Sequence, residues 1–283
     1  MYDGEMLQFI TYATLFNLSI TLVEWLSDLK STNRNFKEDF LSFKIGVGYL
    51  FLESTLLKTL PYIPLFMIAE HIPWSWHEPI WTNWAISIVL ADFTYYWMHR
   101  FEHLIPLFWA HHTTHHNSEE FNLITGYRLS WIEPLVEWIF FLPMILIGVP
   151  PLQALISVAL VATYQHWIHT QKIKKLGWLD SIFNTPSVHR VHHGTNDWCI
   201  DKNFGGILMI WDHIFGTYQK EIDLVNFGVV PQLKDKTAFS ANFFYYGKLI
   251  KAVKKKKLLK EKIKVFLSSN PSNKGHLHEE DSR

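Results

Sequence analysis

The histidines form the pattern in this sequence that is best suited to chemistry. Sixteen of the 283 residues are histidine, and eleven of the sixteen fall in two windows, residues 99–116 and 166–193. The first window holds HRFEH, in which His99 and His103 are four residues apart, and the triplet HTTHH. The second window holds the triplet HRVHH. Residues four apart share one face of a helix, so two imidazoles at this spacing can bind one metal ion.

The number of imidazoles predicts two metal ions rather than one. The pair and the two triplets contribute eight, namely His99, His103, His112, His115, His116, His189, His192 and His193. One zinc ion takes three or four protein ligands, so eight imidazoles are enough for two ions. Imidazole also binds copper, iron and nickel. An all-histidine set favours oxygen activation by non-haem iron, while the spacing alone leaves zinc open.

Carboxylates and amides lie close to the histidines in sequence and are candidates to orient them. A ligating histidine usually donates its second N–H to a carboxylate or a carbonyl. We expect Glu119, Asn122 and Asp212 to act beside the metal ions as catalytic residues. Other candidates are Asp92, Glu102, Asp201 and Asn203. The alternative for each of them is a helix cap or a surface charge.

The composition describes an apolar chain with few charges. Hydrophobic residues make up 48% of it and charged residues 18%, and 26 basic side chains balance 26 acidic ones. A soluble domain usually has about 25% charged residues, and a disordered chain has fewer apolar residues than this one. A net charge of zero argues against nucleic-acid binding. A single cysteine, Cys199, excludes a disulfide framework and multi-cysteine metal sites.

Five apolar stretches predict membrane spans. They are Leu7–Leu26, Ile45–Ile68, Ile80–Met98, Pro134–Gly148 and Pro151–Ile168. About 20 residues cross a bilayer as a helix, so the last two, which are shorter, predict a hairpin that just crosses or re-enters. Pro61 and Pro64 interrupt the second stretch and predict a kinked span. The alternative is a soluble all-α protein in which these stretches are buried helices.

Loop charges predict the orientation of these spans. The segments Met1–Met6, Glu70–Pro79 and Gly148–Pro151 contain no Lys or Arg, whereas nearly all basic residues fall in the other loops. By the positive-inside rule those other loops are cytoplasmic. The histidine windows lie at the same ends of the spans, which predicts a metal site at the cytoplasmic membrane surface. Asp3 and Glu5 disfavour a cleaved signal peptide, whose N-terminal region is basic.

The predicted fold is an all-α, multi-span integral membrane helical bundle of four to five spans with a cytoplasmic, histidine-rich metal-binding cap. We divide it into N-terminal transmembrane helices at 1–79, a catalytic domain at 80–218 and a cytoplasmic C-terminal segment at 219–283. In the last segment, Lys248–Phe266 mixes lysine with aliphatic residues at helical spacing. It predicts either a basic amphipathic helix on an anionic leaflet or an ordinary solvated helix. A disordered tail is expected at Ser268–Arg283.

Four segments of this sequence resemble the fatty acid hydroxylase/sterol desaturase superfamily, most of all its alkylglycerol monooxygenase branch and the bacterial relatives of that branch. The segments are DFTYYWMHRFEH (92–103), FWAHHTTHHNSEEFN (108–122), NTPSVHRVHHGTN (184–196) and DKNFGGILMIWDHIFGTY (201–218). The resemblance implies a membrane di-iron oxygenase that hydroxylates or desaturates a lipid. It adds His169 to the eight histidines as a ninth metal ligand and leaves out His111, His166 and His213. Val188 stands where the branch often has a further histidine.

The resemblance also implies cofactors and partners. These are two Fe2+ ions, O2, a membrane lipid substrate and an external electron donor, which is a tetrahydropterin, a ferredoxin or another reductase; no nucleic acid is expected. Cleavage of an ether bond is a third possible outcome, beside hydroxylation and desaturation. A membrane zinc hydrolase with Glu119 as its catalytic carboxylate is the alternative from a different class. A histidine-rich metal transporter would need ionisable residues in the middle of several spans, whereas these histidines lie at span ends.

Overall fold

The structure of the protein is a computed structural model, which describes residues 2–31, 34–57, 60–76 and 80–268. The α-helices of these ranges are α1 (Tyr2–Ser27), α2 (Phe36–Leu52), α3 (Ile63–Ala69), α4 (Trp81–Leu104), α5 (Pro106–His116), α6 (Glu133–Leu146), α7 (Pro151–His166), α8 (Pro186–His192), α9 (Ile210–Phe215), α10 (Ala238–Lys254) and α11 (Leu259–Leu267). Short 3-10 or π turns lie at Glu53–Leu57, Leu60–Tyr62, Thr125–Tyr127 and Gly177–Ser181. Strand pairing within the described ranges is limited to two isolated bridges. The predicted all-α class is confirmed.

The first helix, α1, has the length and composition of a membrane span. Its segment Gly4–Ser27 has a mean hydropathy of 1.5, and 11% of its most apolar window is buried against the rest of the protein. The side chains of Phe9, Tyr12 and Val23 are 60%, 68% and 66% exposed. A long helix that is apolar all round suits a lipid surrounding rather than water.

The second predicted span is bent. Its two parts, Phe36–Thr55 and Leu60–Ala69, meet at 64° and together are long and apolar enough for one span. The bend falls between the π turn and the segment that contains Pro61 and Pro64, which lack the N–H of a regular helix. Lys58, which the sequence places in this stretch, lies outside the described residues.

The other three predicted spans form helices that differ from α1 in composition or length. By these two measures one helix of the described residues can cross a membrane, or two if the bent pair is one span. Helix α4 has 24 residues but carries Asp92, Arg100 and Glu102. Helices α6 and α7 have 14 and 16 residues. At 1.5 Å per residue they are roughly 21 and 24 Å long, less than the ~30 Å of a bilayer core. The count of four to five spans stays a prediction.

Hydrogen bonds join loops and helix ends at each of the two ends of the helices. At one end, the Trp76 N–H donates to the Gly148 carbonyl at 3.0 Å, which joins two of the segments without Lys or Arg. At the other end, the Glu24 carboxylate accepts the Leu123 N–H at 2.8 Å and the Thr170 hydroxyl. This second end, where α1 and α7 finish, is the end that carries the histidines.

Helix α4 is the central helix and leads directly into α5. It packs against α6 and α7 around the buried side chains of Ala91, Met98, Phe141, Met144, Ile145 and Val161. It ends at Leu104, and α5 begins at Pro106, a residue that needs no N–H partner in the first turn of a helix. Helix α10 covers α5, since Tyr245 and Leu249 pack against Trp109. These contacts hold the helices that present the histidines.

The C-terminal segment forms two helices, which corrects the single helix predicted over Lys248–Phe266. Helix α10 ends at Lys254 and α11 begins at Leu259. The break falls in a run of four consecutive lysines, where like charges one turn apart disfavour a continuous helix. From residue 269 onward the predicted disordered tail, with His276 and His278, lies outside the described residues.

Candidate metal centre

Nine buried or half-buried histidines converge in two groups. The five-histidine group consists of His99, His103, His112, His116 and His192. The four-histidine group consists of His115, His169, His189 and His193. Within each group the inward ring nitrogens lie within 4.8 Å of one another. The structure therefore brings together all nine histidines that the family resemblance selects.

Each histidine triplet is divided between the two groups. In HTTHH, the outer residues His112 and His116 join the five-histidine group, while the histidine between them joins the other group. In HRVHH, the outer residues His189 and His193 join the four-histidine group, and again the one between them joins the other. Successive helical residues are rotated by about 100°, so the middle histidine points away from the outer pair. Each of the two helices, α5 and α8, thus contributes histidines to both groups.

In eight of the nine histidines, all except His103, the Nε2 atom lies 2.9–3.1 Å from the Nε2 atom of another member of its group. In the five-histidine group, the Nε2 atom of His112 is 3.1 Å from that of His99 and 3.1 Å from that of His116. In the four-histidine group, the Nε2 atoms of His169 and His115 are 3.1 Å apart. Two nitrogens about 2.1 Å from one ion and at right angles to each other would be about 3.0 Å apart. A distance of 3.1 Å suits two ligands of one ion or an N–H···N hydrogen bond, and the tautomers of the rings decide between the two.

The outward ring nitrogens fix the tautomer of four of these histidines. A carbonyl oxygen can only accept, so a ring nitrogen that bonds to it carries the proton. The Nδ1–H of His99 donates to the Phe204 carbonyl at 3.1 Å, and that of His115 donates to the Arg128 carbonyl at 3.3 Å. Two further bonds of this kind run from His169 to Gln165 and from His192 to Lys202, each at 2.9 Å. In each neutral ring the Nε2 atom is then a bare acceptor.

Bare acceptors that face each other repel unless a cation lies between them. The rings of His115 and His169 are both held in this tautomer, and their Nε2 lone pairs meet at 3.1 Å with no proton to bridge them. A metal ion between the two nitrogens removes the repulsion, and imidazole is a preferred ligand of iron, zinc, copper and nickel. The donor set therefore fits a bound metal ion.

The side chain of His103 is a second observation that fits a metal ion. It is 3% exposed, and neither of its ring nitrogens has a hydrogen-bond partner. The carboxylate of Asp201 is 3.8 Å from its Nδ1 atom, too far for a hydrogen bond. Buried polar atoms nearly always find a partner. Metal ligation would supply one for His103.

Burial keeps these rings neutral, which metal binding requires. Burial lowers the pKa of His169 to about 4. It also holds the pKa values of His116 and His193 well below the usual range, and the charges of neighbouring histidines add to that effect. A proton and a metal ion compete for the same lone pair, so a ring that resists protonation is available to a metal at neutral pH.

Comparison with known proteins agrees with this geometry. Residues 84–217 match the family model described as Fatty acid hydroxylase. The chain carries a fatty acid hydroxylase domain. The resemblance predicted from the histidine segments is thereby confirmed. Both histidine groups lie entirely within this domain.

Curated relatives are similar to the chain beyond the hydroxylase domain. The alkylglycerol monooxygenases of Danio rerio and Homo sapiens are 38% identical to this chain over 249 and 253 residues, which are 86% and 85% of its length. The ornithine lipid hydroxylase OlsE of Rhizobium tropici is 30% identical over 152 residues, 51% of this chain and 46% of its own length. The chain spans about half the length, 55%, of the two alkylglycerol monooxygenases. No solved structure is significantly similar to it.

Within the hydroxylase domain, Asp212 holds the backbone that His99 contacts. Its two carboxylate oxygens accept the N–H groups of Phe204 and Gly205, each at 2.8 Å, and one of them also accepts the Thr217 hydroxyl at 2.6 Å. The Phe204 carbonyl is the acceptor of His99. A Cβ atom at Gly205 would lie 2.9 Å from the Asp212 carboxylate, so the close approach requires glycine. The structure places Asp212 one peptide away from a ring nitrogen.

The other two predicted catalytic residues lie in the loop after α5. Asn122 accepts the Thr125 N–H at 3.2 Å and donates to the Asp39 carboxylate at 2.9 Å. Glu119 pairs with Lys236 at 2.7 Å, and its side chain is 36% exposed. Neither belongs to a histidine group in the part of the chain that the structure describes. Their catalytic role stays a prediction.

The carboxylate of Glu102 contacts the five-histidine group directly. One of its oxygens is 3.2 Å from the Nδ1 atom of His112, and the other is 2.9 Å from the Nε2 atom of His111. Glu102 was one candidate among seven in the sequence, and only the packing of α4 against α5 singles it out. His111 lies outside both groups, as does His166, whose Nε2 atom bonds to the Thr21 hydroxyl at 2.9 Å.

Arg128 is a neighbour of the site that no sequence pattern indicates. It is fully buried, and its carbonyl is the acceptor of His115. Its guanidinium donates to the Glu38 carboxylate at 2.9 Å, to the Thr114 carbonyl at 3.1 Å and to the Asn117 side chain. Glu38 precedes Arg128 by 90 residues, so no local spacing could have revealed the pair.

Aromatic rings cover both groups of histidines. The Phe121 ring lies 5.6 Å from that of His169 and 5.1 Å from that of His193. The Trp109 ring lies 5.1 Å from His103. A narrow cleft reaches the histidines from the loops at 194–200 and 228–230; its lining includes His116, His192, His193, Thr195 and Val229.

An apolar groove of about 480 Å³ lies beside α1, near the end of α7. Its lining is mainly apolar and includes Phe16, Ile20, Val23, Leu123, Trp167 and Ile173. Thr170, which also lines it, follows the metal-binding candidate His169 in the chain. The groove therefore runs close to the four-histidine group.

Proposed function

We propose that this protein is a membrane-bound, non-haem di-iron oxygenase that uses O2 and two external electrons to hydroxylate a lipid, to desaturate it or to cleave its ether bond. One observation carries the proposal: nine histidines converge in two groups, and in the four-histidine group the bare Nε2 acceptors of His115 and His169 face each other at 3.1 Å. The fatty acid hydroxylase domain supports it. So do relatives named for alkylglycerol oxygenation and ornithine lipid hydroxylation.

The number of donors favours iron over zinc. Five histidines exceed the four ligands of a tetrahedral zinc site. The zinc hydrolase alternative needs a catalytic carboxylate beside the metal, and Glu119 instead pairs with Lys236.

The chain's own residues hold and orient the ions. Bound iron supplies the activation of O2 that an attack on an unactivated C–H bond requires. The nine imidazoles are the proposed ligands. Four backbone carbonyls and the Glu102 carboxylate accept the Nδ1 protons of five of them and keep those rings aimed inward, namely His99, His112, His115, His169 and His192. Asp212 positions His99 through the Phe204 peptide. Asn122 and Glu119 brace the loop after α5.

We assign the lipid chain to the apolar groove beside α1. Its lining residues Ile20 and Val23 belong to the helix best suited to lipid, so a chain can enter from the bilayer. Its lining also includes Thr170 and Leu123, which are close in sequence to His169 and to Phe121 over the four-histidine group. The reacting carbon would thus approach from the membrane side.

The metal centre is proposed to face the cytoplasm in a multi-pass membrane protein. The helix ends joined by Glu24, Leu123 and Thr170 are those whose loops carry most of the Lys and Arg. The opposite end is proposed to lie outside, where Trp76 meets Gly148. Electrons would come from a tetrahydropterin, a ferredoxin or another reductase through the narrow cleft beside His116.

Metal analysis and lipid analysis together test this function. The full chain, purified without oxygen, should contain two iron ions, and a host that expresses it should accumulate one oxidised lipid class. A gain of one oxygen atom indicates hydroxylation, a loss of two hydrogens indicates desaturation, and a loss of alkyl ethers indicates ether cleavage. His115→Ala should abolish the product, whereas His213→Ala, on a largely exposed side chain, should not. Stoichiometric zinc, or turnover without O2, would show that the proposal is wrong.

A further inference from the structure

Helix α11 is apolar over more of its circumference than the protein core covers. On its inner side Phe266 packs against the buried cluster around Trp109. On an adjacent side Leu259, Ile263 and Leu267 follow one another at intervals of four residues and form one stripe. These three side chains are 72%, 48% and 55% exposed. The stripe is therefore an aliphatic surface that the described part of the chain does not cover.

Lysines surround this aliphatic stripe. Between residues 248 and 264 the chain has nine lysines and one acidic residue, Glu261. Lys257, Lys260 and Lys264 are exposed next to the stripe. This excess of positive charge favours binding to an anionic partner. The exposed leucines and isoleucine favour an apolar one.

An anionic lipid surface meets both demands at once. A helix in the membrane interface buries large aliphatic side chains among the acyl chains and places lysines at the headgroups. The long lysine stems lie along apolar surface while their ammonium groups stay in the polar layer. An ordinary solvated helix would instead bury its aliphatic side, whereas Leu259, Ile263 and Leu267 of α11 stay exposed. An acidic protein would satisfy the charge but not the bare aliphatic stripe.

The position of α11 in the fold also suits a membrane surface. The helix packs on the cluster that contains Trp109 of α5, and α5 begins two residues after the end of α4. Helix α4 contains the third predicted span, and its last turn carries His103. The helix α11 therefore lies at the end of the bundle where the basic loops gather.

We infer that α11 and the lysine-rich end of α10 form a docking surface for the anionic face of a lipid bilayer. The inference rests on the membrane location in the proposed function but not on its chemistry. Its occupant is the headgroup and outer acyl region of acidic phospholipids. Since Phe266 and the ring of His103 both pack near Trp109, docking would brace the helix that carries the metal-binding histidines.

A single fluorescent label tests the docking. The only cysteine, Cys199, is buried, so Ile263→Cys in the full chain offers one accessible thiol, and the unsubstituted chain controls for background labelling. An environment-sensitive probe on it is followed after reconstitution in phosphatidylcholine with and without phosphatidylserine. We expect a blue shift, and quenching by spin-labelled lipid, only with phosphatidylserine and only at low salt.

Charge-removal variants complete the test. The docking variant carries Lys254→Gln, Lys257→Gln, Lys260→Gln and Lys264→Gln. The matched control removes the same charge at exposed positions elsewhere: Lys174→Gln, Lys175→Gln, Lys220→Gln and Lys234→Gln. The first should weaken docking by on the order of a hundred-fold or more, and the second should leave it unchanged.

The outcomes separate this inference from the proposed function. The label reports docking whether or not the enzyme turns over, so a chain that docks but oxidises no lipid overturns only the function. A label that stays in water with phosphatidylserine overturns the docking inference. A shift that requires an added acidic protein, with plant-type ferredoxin as the probe, would assign the surface to a protein partner and also overturn it.

Discussion

The imidazole rings of His116 and His193 stack with their centroids 4.3 Å apart and their planes 19° apart, although they belong to different histidine groups. Each ring keeps its Nε2 atom in its own group, 3.1 Å from that of His192 in one case and 3.1 Å from that of His189 in the other. The stacked pair therefore separates the two histidine groups, each of which is proposed to hold one ion.

Loss of one stacked ring should remove at least one metal ion. We expect His116→Ala to lower the iron content from two ions per chain to one or fewer and to abolish lipid oxidation. The five-histidine group loses a ligand, and His193 loses the ring that it stacks on. Metal analysis of the purified protein measures this. His71→Ala, whose ring is exposed and bonds to the Met67 carbonyl at 2.8 Å, is the control. Full iron content in His116→Ala would contradict the assignment.

Asp212 should act on metal affinity through the Phe204 peptide. In Asp212→Asn one oxygen becomes an amide donor, so the side chain can no longer accept both the Phe204 and the Gly205 N–H groups. We expect iron to bind about 10- to 100-fold more weakly, as for other groups that orient metal ligands. Competition with a chelator measures the affinity. Asp197→Asn, at an exposed position, should bind iron as the parent does; equal affinity in Asp212→Asn would exclude a positioning role.

Arg128 should raise the free energy of unfolding by several kcal/mol. Arg128→Met removes the hydrogen-bonded cation from the buried Glu38 carboxylate and leaves it the half-exposed Lys236 ammonium at 3.8 Å; the side chains of Arg128 and Glu38 are at most 3% exposed. We expect the free energy of unfolding to fall by about 3–5 kcal/mol, and Glu38→Gln added to it should recover part of the loss. Lys236→Gln, in a half-exposed ion pair with Glu119, should cost at most about 1 kcal/mol. Thermal unfolding of the metal-free protein in detergent measures each variant; a small effect of Arg128→Met would mean that its bonds contribute little.

The pair of Glu221 and Arg190 should make stability depend on pH. Burial alone would raise the pKa of Glu221, but two hydrogen bonds from Arg190 at 2.8 Å outweigh it and lower the pKa below its usual 4.5. A carboxyl with a lowered pKa stabilises the fold above the unfolded pKa, and this contribution is lost as pH falls through the folded pKa. Glu221→Gln should therefore unfold at a lower temperature than the parent at pH 7, with the gap closing below about pH 4. A gap that is independent of pH would contradict this account.

A bulky side chain in the apolar groove should block lipid without disturbing the metal. Ile20→Trp fills the groove beside α1, so we expect a raised KM for long-chain lipids at unchanged iron content. Leu18→Trp places the same side chain on α1 at an exposed position that does not line the groove. Kinetic assays with lipids of different chain length compare the two. Equal KM values would place the substrate elsewhere.

Local patterns in the sequence predicted the parts of this protein that depend on local geometry. The length and apolar character of Leu7–Leu26 predicted a span, and α1 is a helix long and apolar enough for one. Prolines 61 and 64 predicted the bend in the second stretch. The spacing of HRFEH, HTTHH and HRVHH identified the histidines that converge. Helical periodicity is a property of neighbouring residues, so it can be read without the fold.

The lysine-rich end shows where local pattern was insufficient. Periodicity over Lys248–Phe266 predicted one helix and left open whether it lies in water or on lipid. The run of lysines breaks it into α10 and α11, and packing on Trp109 decides which side of α11 stays exposed. The stripe of Leu259 and Ile263 is visible only because the core leaves it uncovered.

The sequence by itself determined the all-helical class, the candidate ligands and the family. Only the tertiary structure decided that each triplet divides between two groups, that Glu102 meets His112, and that Arg128 meets Glu38. The reason is physical. Which nitrogen faces which, and which buried charge is paired, depends on how α4, α5 and α8 pack against one another, and those contacts join residues too far apart in the chain for any spacing to record them.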